Sequence, residues 1–136
     1  MSSSGSPVSS LADGVKARTK ASLFIIDDDR SLLRLLRLIF EDADFDVQAF
    51  PDAQVALAEI AQHEPDAIIL DLEMPVMNGR DFYRAVREAG LQTPVLILSA
   101  YGARAAQIEL GADAYVDKPF EPEQLIEAIT RLLNRA

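Results

Sequence analysis

The sequence predicts an α/β fold, a parallel sheet of five strands with helices on both faces. Three observations point to it. Short apolar runs such as Leu23–Ile26, Ala67–Leu70 and Val95–Leu98 are near-continuous rather than alternating, as strands covered on both sides require. These runs alternate strictly with segments of helical periodicity. The third run stops at an acid, Asp71. A charge there is costly to bury unless something pairs with it or binds it. The carboxyl ends of strands in an open parallel sheet are where ligands bind.

Leu23–Ile26 reads as the first strand. Ser31–Phe40 reads as a helix with one apolar face and with Arg34, Arg37 and Glu41 opposite. Asp46–Phe50 is a short alternating strand. Asp52–His63 is a helix capped by Asp52, with Pro65 beyond its end. Ala67–Leu70 is the third strand, and Asp81–Glu88 a helix ending near Gly90. Val95–Leu98, set off by Pro94, is the fourth strand. Arg104–Leu110 is a helix stopped by Gly111. Ala114–Val116 is a short fifth strand, and Glu121–Leu133 a last helix opened by acidic residues and Pro122. Right-handed crossovers then favour a doubly wound (βα)5, flavodoxin-like sheet of order 2-1-3-4-5.

The chain has 136 residues, enough for one domain with a sizeable core. Residues 1–21 are Ser-rich and aperiodic and predict a disordered extension, with a transit peptide as the minor alternative. Residues 22–136 form the domain. Net charge is −9; the three basic residues and one acid of 1–21 leave the remainder at −11. An acidic body argues against nucleic acid and anionic membranes as partners, and suits a cation. No run approaches the roughly 20 apolar residues of a membrane span, and no secretory h-region opens the chain. Cysteine is absent, which removes disulfides and thiolate metal sites, and with a single histidine this argues against zinc.

In a parallel sheet the strand ends share one edge. Strand one leads into Asp27-Asp28-Asp29, strand three into Asp71, strand four into Ser99-Ala100 and strand five towards Lys118-Pro119. Carboxylates so crowded call for a hard cation, and Mg²⁺ needs few protein ligands beside phosphate and water. A carboxylate beside Mg²⁺ and a Lys can attack phosphorus, giving an aspartyl phosphate.

The segments FIIDDD (24–29), ILDLEMPVMNG (69–79), LILSA (96–100) and YVDKPF (115–120) resemble the receiver domain of two-component response regulators, in that family's order and over about residues 22–135. The resemblance implies that Asp71 is the phosphoacceptor, taking a phosphoryl group from a phosphohistidine of a sensor kinase or phosphotransfer protein. It implies Asp28 as direct Mg²⁺ ligand, Asp27 as its partner and the Glu73 backbone carbonyl as a further ligand. Lys118 would pair with the phosphoryl oxygens, and the Ser99 hydroxyl and Ala100 amide would hydrogen-bond them. Lys118-Pro119 would be cis. The family's switch would couple Ser99 to Tyr115, remodelling the face of helix four, strand five and helix five towards a downstream protein target or a phosphorylation-dependent homodimer. The implied role is signalling by a phosphoswitch in the cytoplasm, not turnover catalysis. Direct binding of nucleic acid or membrane by this chain is not expected.

Two departures stand out. The 19 positions from Ser99 to Lys118 fall about one helical turn short of the family's usual spacing, which places the deficit in helix four or the loop before it. Glu73 and Tyr101 occupy variable positions near the phosphoryl group, so Glu73 is expected to alter phosphoryl lifetime. Leu38 lies off the apolar face of the first helix beside Arg34; with Arg37 these form a candidate contact for the phosphodonor. Asp29 reads as a helix cap, His63 as a surface residue, and Met74 and Met77 as packing. Tyr115 has a plainer reading as a rim aromatic, and Ser99 as a loop cap. Two other functions compete: a haloacid-dehalogenase-like phosphatase, suggested faintly by Asp27-Asp28-Asp29 before Ser31, and an unphosphorylated adaptor. No output module follows Ala136, so the chain reads as a stand-alone receiver or as part of a longer regulator.

Overall fold

The structure, a computed structural model, describes residues 20–74 and 78–134. The extension expected over 1–21 lies almost wholly outside the described residues, as does Met77. The elements run β1 (Ser22–Ile26), α1 (Arg30–Asp42), β2 (Asp46–Phe50), α2 (Ala53–Gln62), β3 (Ala67–Asp71), α3 (Gly79–Glu88), β4 (Val95–Ser99), α4 (Ala103–Leu110), β5 (Ala114–Asp117) and α5 (Pro122–Asn134). The strands pair in parallel in the order β2-β1-β3-β4-β5. This is the doubly wound topology expected from the alternation of apolar runs and helical periods.

Side chains alternate across each strand, so β1, β3 and β4 feed two cores, while β5 contributes Ala114 and Val116 to one. Phe24, Ile26, Ile68, Leu70, Val95 and Ile97 pack with residues of α2, α3 and α4, among them Ile60, Phe82 and Ala106. Leu23, Ile25, Ala67, Ile69, Leu96 and Leu98 pack with α1 and α5 through Leu36, Phe40, Leu125 and Ile129. The helices start where their caps say. The Asp29 carboxylate accepts from the Ser31 and Leu32 amides, and that of Asp52 from the Gln54 and Val55 amides. Helix α4 has eight residues and no side-chain cap, and Gly102 enters it with φ 67°, a left-handed conformation that favours glycine. It is the shortest of the five helices among the described residues, within the stretch from Ser99 to Lys118.

The strands outrun their apolar stretches. β3 includes Asp71, β4 includes Ser99 and β5 includes Asp117, because the ladder continues through Asp71 opposite Leu98 and Ser99 opposite Asp117. Asp71, Ser99 and Asp117 thus sit on regular backbone, whereas Asp27, Asp28 and Lys118 lie just past their strands.

The other end of the sheet is tied by Arg87. Its guanidinium donates to the Leu91 and Thr93 carbonyls, reaches Asp113 at 3.4 Å and stacks on Tyr83. These contacts hold α3 to the start of β4, away from the edge described next.

Candidate functional site

The period of two along each strand decides which side chains meet. Ala67 and Ile69 face the α1/α5 side, and Asp71 follows them. Leu23 and Ile25 place Asp27 on the same side, as Ala114 and Val116 do Lys118. The Lys118 ammonium lies 3.3 Å from Asp27 Oδ2 and 3.4 Å from Asp71 Oδ1. Asp27 and Asp71 are 1% and 2% exposed. Backbone amides fix both carboxylates: Asp29 N–H donates to Asp27 Oδ1 at 3.0 Å, and Glu73 N–H to Asp71 Oδ1 at 3.2 Å.

One ammonium does not neutralise this edge. Burial, followed by the charge of Asp27, pushes the Asp71 carboxyl up from 3.8 to about 7, against the opposing pull of Lys118 and the Glu73 amide. Burial pushes the Lys118 ammonium down, but Asp27 and Asp71 outweigh it and leave the group above its ordinary value. Asp27, Asp28 and Asp71 each bring a carboxylate oxygen within 4.8 Å of the others. Asp28 is exposed, so the cluster opens to solvent on one side. An all-oxygen donor set that is short of positive charge and open on one flank fits Mg²⁺.

Beside it, the Ser99 hydroxyl donates to Glu73 Oε2, and the Ala100 amide donates to Glu73 Oε1 at 3.4 Å. Ser99 Oγ also lies 2.9 Å from the Tyr101 carbonyl oxygen and accepts from the Tyr101 amide at 3.1 Å. Lys118-Pro119 is cis, as expected. Gly79, the first residue of α3, packs directly under the acid: a methyl group there would lie 2.6 Å from the Asp71 carbonyl oxygen and 2.7 Å from Leu72 Cα.

Residues 23–130 match the family model described as the response regulator receiver domain. The chain belongs to the response regulator receiver family. It is 35% identical over 116 residues to the response regulator MprA of Mycolicibacterium vanbaalenii, covering 83% of this chain and 50% of that one. It is 38% identical over 117 residues to the transcriptional regulatory protein CpxR of Escherichia coli, covering 84% and 50%. The chain therefore spans about half the length of these curated relatives. Among solved structures, the chemotaxis protein CheY4 of Vibrio cholerae superposes with a TM-score of 0.78 at 32% identity, covering 85% of this chain and 100% of that one. These likenesses assign the receiver domain to two-component phosphoacceptor signalling and do not favour a dehalogenase-like phosphatase.

Within the receiver, the structure gathers Asp27, Asp28, Asp71 and Lys118 at one edge and puts Ser99, Ala100 and Glu73 beside them. Tyr115 lies apart on β5, 38% exposed, two residues before the strand's end. The candidate phosphodonor contacts stand outside the site on α1. Leu38 is 65% exposed and Arg34 is exposed, whereas Arg37 already bonds Glu41 at 3.1 Å. Arg30, which the helical pattern did not single out, lines a groove with Arg34, Arg37 and Pro51. Two further residues escaped sequence reasoning. Gly79 appeared only as the last residue of the segment 69–79 and proves to be a close contact of the Asp71 backbone. Glu73 was placed near the phosphoryl group, but not on the Ser99 and Ala100 donors. His63 is exposed and Met74 buried, as expected. No helix among the described residues is long and apolar enough to cross a membrane.

Two predictions follow from this geometry. A carboxyl whose pKa the fold raises is protonated in folded and unfolded chains alike below about pH 4. Between about pH 4 and 7 the unfolded chain ionises first and stability falls, and above that the penalty is constant. Asp71→Asn should therefore raise the Tm of the metal-free protein at pH 8 by at least about 4 °C, roughly 1 kcal/mol for a domain of this size. The gain should vanish near pH 4, as thermal melts in chelator would register. Gly79→Ala should cost about 1–3 kcal/mol in urea melts and weaken Mg²⁺ binding, because the α3 terminus must retreat from the Asp71–Leu72 backbone. Unchanged stability and metal affinity would contradict the close packing.

Proposed function

We propose that Asp71 accepts a phosphoryl group from a phosphohistidine on a sensor kinase or histidine phosphotransfer protein. The observation that supports this reading most is the convergence of three carboxylates and Lys118 on one sheet edge. An Asp71 carboxylate oxygen attacks phosphorus as the P–N bond to the donor imidazole breaks, and the departing nitrogen takes up a proton. Lys118, fixed by Asp27 and Asp71, pairs with the phosphoryl oxygens. Asp27, Asp28, Asp71 and the Glu73 carbonyl would hold Mg²⁺, which would supply charge neutralisation and polarisation of phosphoryl oxygens. The Glu73 amide keeps Asp71 oriented for attack. The Ser99 hydroxyl and Ala100 amide are the donors available to the remaining phosphoryl oxygens.

The new dianion then biases a two-state element. Ser99 moves towards the phosphoryl group, Tyr115 leaves its exposed position, and the α4–β5–α5 face changes for a downstream protein target or a second copy of the chain. Arg34 and Leu38 on α1, with Arg37 once released from Glu41, offer the face for the phosphodonor. The protein works as a stoichiometric phosphoswitch in the cytoplasm, not as a turnover enzyme.

Incubation with acetyl phosphate and Mg²⁺ tests this. Close to one acid-stable, hydroxylamine-sensitive phosphoryl group should appear per chain by intact-mass spectrometry. Chelation or Asp71→Asn should abolish it, and Lys118→Ala should slow its formation at least about tenfold, as loss of a charge-assisted contact to a phosphoryl group implies. Sustained hydrolysis of a phosphomonoester, or a label that survives Asp71→Asn, would overturn the reading.

A further inference from the structure

Glu73 does two things at once. Its amide orients the Asp71 carboxylate, while its own carboxylate accepts from Ser99 Oγ and from the Ala100 amide. Those two donors are the pair assigned above to the phosphoryl oxygens. A carboxylate and a phosphoryl group both present anionic oxygens to such donors, and one pair of donors cannot serve both. Ser99 is fully buried, and its single hydroxyl proton has Glu73 and the Tyr101 carbonyl as alternative acceptors. The Glu73 charge also adds to the forces that raise the Asp71 carboxyl.

We propose that the Glu73 carboxylate is an internal competitor for the phosphoryl-oxygen site, an autoinhibitory contact that must release before Ser99 and Ala100 can engage a phosphoryl group. The proposal rests on the reading of Asp71 as phosphoacceptor and adds its regulation. At rest the anion site is filled by the protein's own acid. Phosphorylation exchanges one anion for another at Ser99 and Ala100, so these two donors add little net stabilisation to the phosphorylated state. The expelled carboxylate must find solvent beside a new dianion. Glu73 thereby sets a threshold for the movement of Ser99, and with it for the switch. It is a positioning residue; the bond-making groups stay Asp71 and Lys118.

Titration with beryllofluoride and Mg²⁺, read by ¹⁹F and ¹H–¹⁵N NMR, separates this from simple charge repulsion. Glu73→Ala removes both charge and contact. Glu73→Asp keeps the charge but shortens the side chain by one methylene, so it loses its reach to Ser99. Both variants should bind beryllofluoride at least about tenfold more tightly than the wild type, in line with the worth of hydrogen bonds to a charged acceptor. Without ligand, both should show the Ala100 amide proton shifted upfield as its carboxylate acceptor departs. Equal affinities in wild type and Glu73→Ala would overturn the proposal, and so would a gain in Glu73→Ala absent from Glu73→Asp. Absence of any adduct in all three proteins, judged against an Asp71→Asn control, would instead remove the phosphoacceptor reading itself.

Discussion

Three clustered carboxylates, two of them paired with one ammonium at the edge of an otherwise apolar sheet, are the constraint on which the functional edge depends. With every group ionised the cluster keeps two uncompensated negative charges, and two of its acids are buried. Removing Lys118 would leave two buried carboxylates facing each other without their cation, which is strongly destabilising. The same imbalance gives the edge its chemistry. A site this rich in oxygen donors and this poor in positive charge is compatible with a hard divalent cation.

The fold produces this crowding by ordinary means. Apolar side chains on both faces of β1 and β3 hold two adjacent strands in register, and the alternation of side chains delivers Asp27 and Asp71 to the same side. Lys118 follows β5 and reaches across from the sheet's far edge. Arg87 and its partners tie α3 to the start of β4 at the opposite end. Gly79 lets α3 approach the Asp71 backbone closely enough to define where that acid sits.

Much of this was legible in the residues because it is local or periodic. Continuous apolar runs reveal strands covered on both faces, Asp29 and Asp52 announce helix starts, and Asp71 after Ala67–Leu70 marks the functional edge. Leu38 was rightly read as exposed from its place on the helical wheel. Contacts between distant residues were hidden. Nothing around Glu73 indicates that its side chain meets Ser99 and Ala100, 26 and 27 positions away. Gly79 has an unremarkable sequence setting, because the requirement for it comes from a backbone it meets only in the folded state. Strand ends were underestimated because Asp71, Ser99 and Asp117 are polar, whereas ladder pairing is a property of backbone and ignores side-chain polarity.

The central claim, that Asp27, Asp28, Asp71 and the Glu73 carbonyl surround a single divalent ion, is most directly tested with Mn²⁺ as a paramagnetic probe. Substoichiometric Mn²⁺ should broaden the amide resonances of Asp27, Asp28, Leu72, Glu73 and Lys118 first. Excess Mg²⁺ should reverse the effect, and Asp28→Asn should weaken it. Broadening spread over the exposed acids of the surface, or unchanged by Asp28→Asn, would contradict the account.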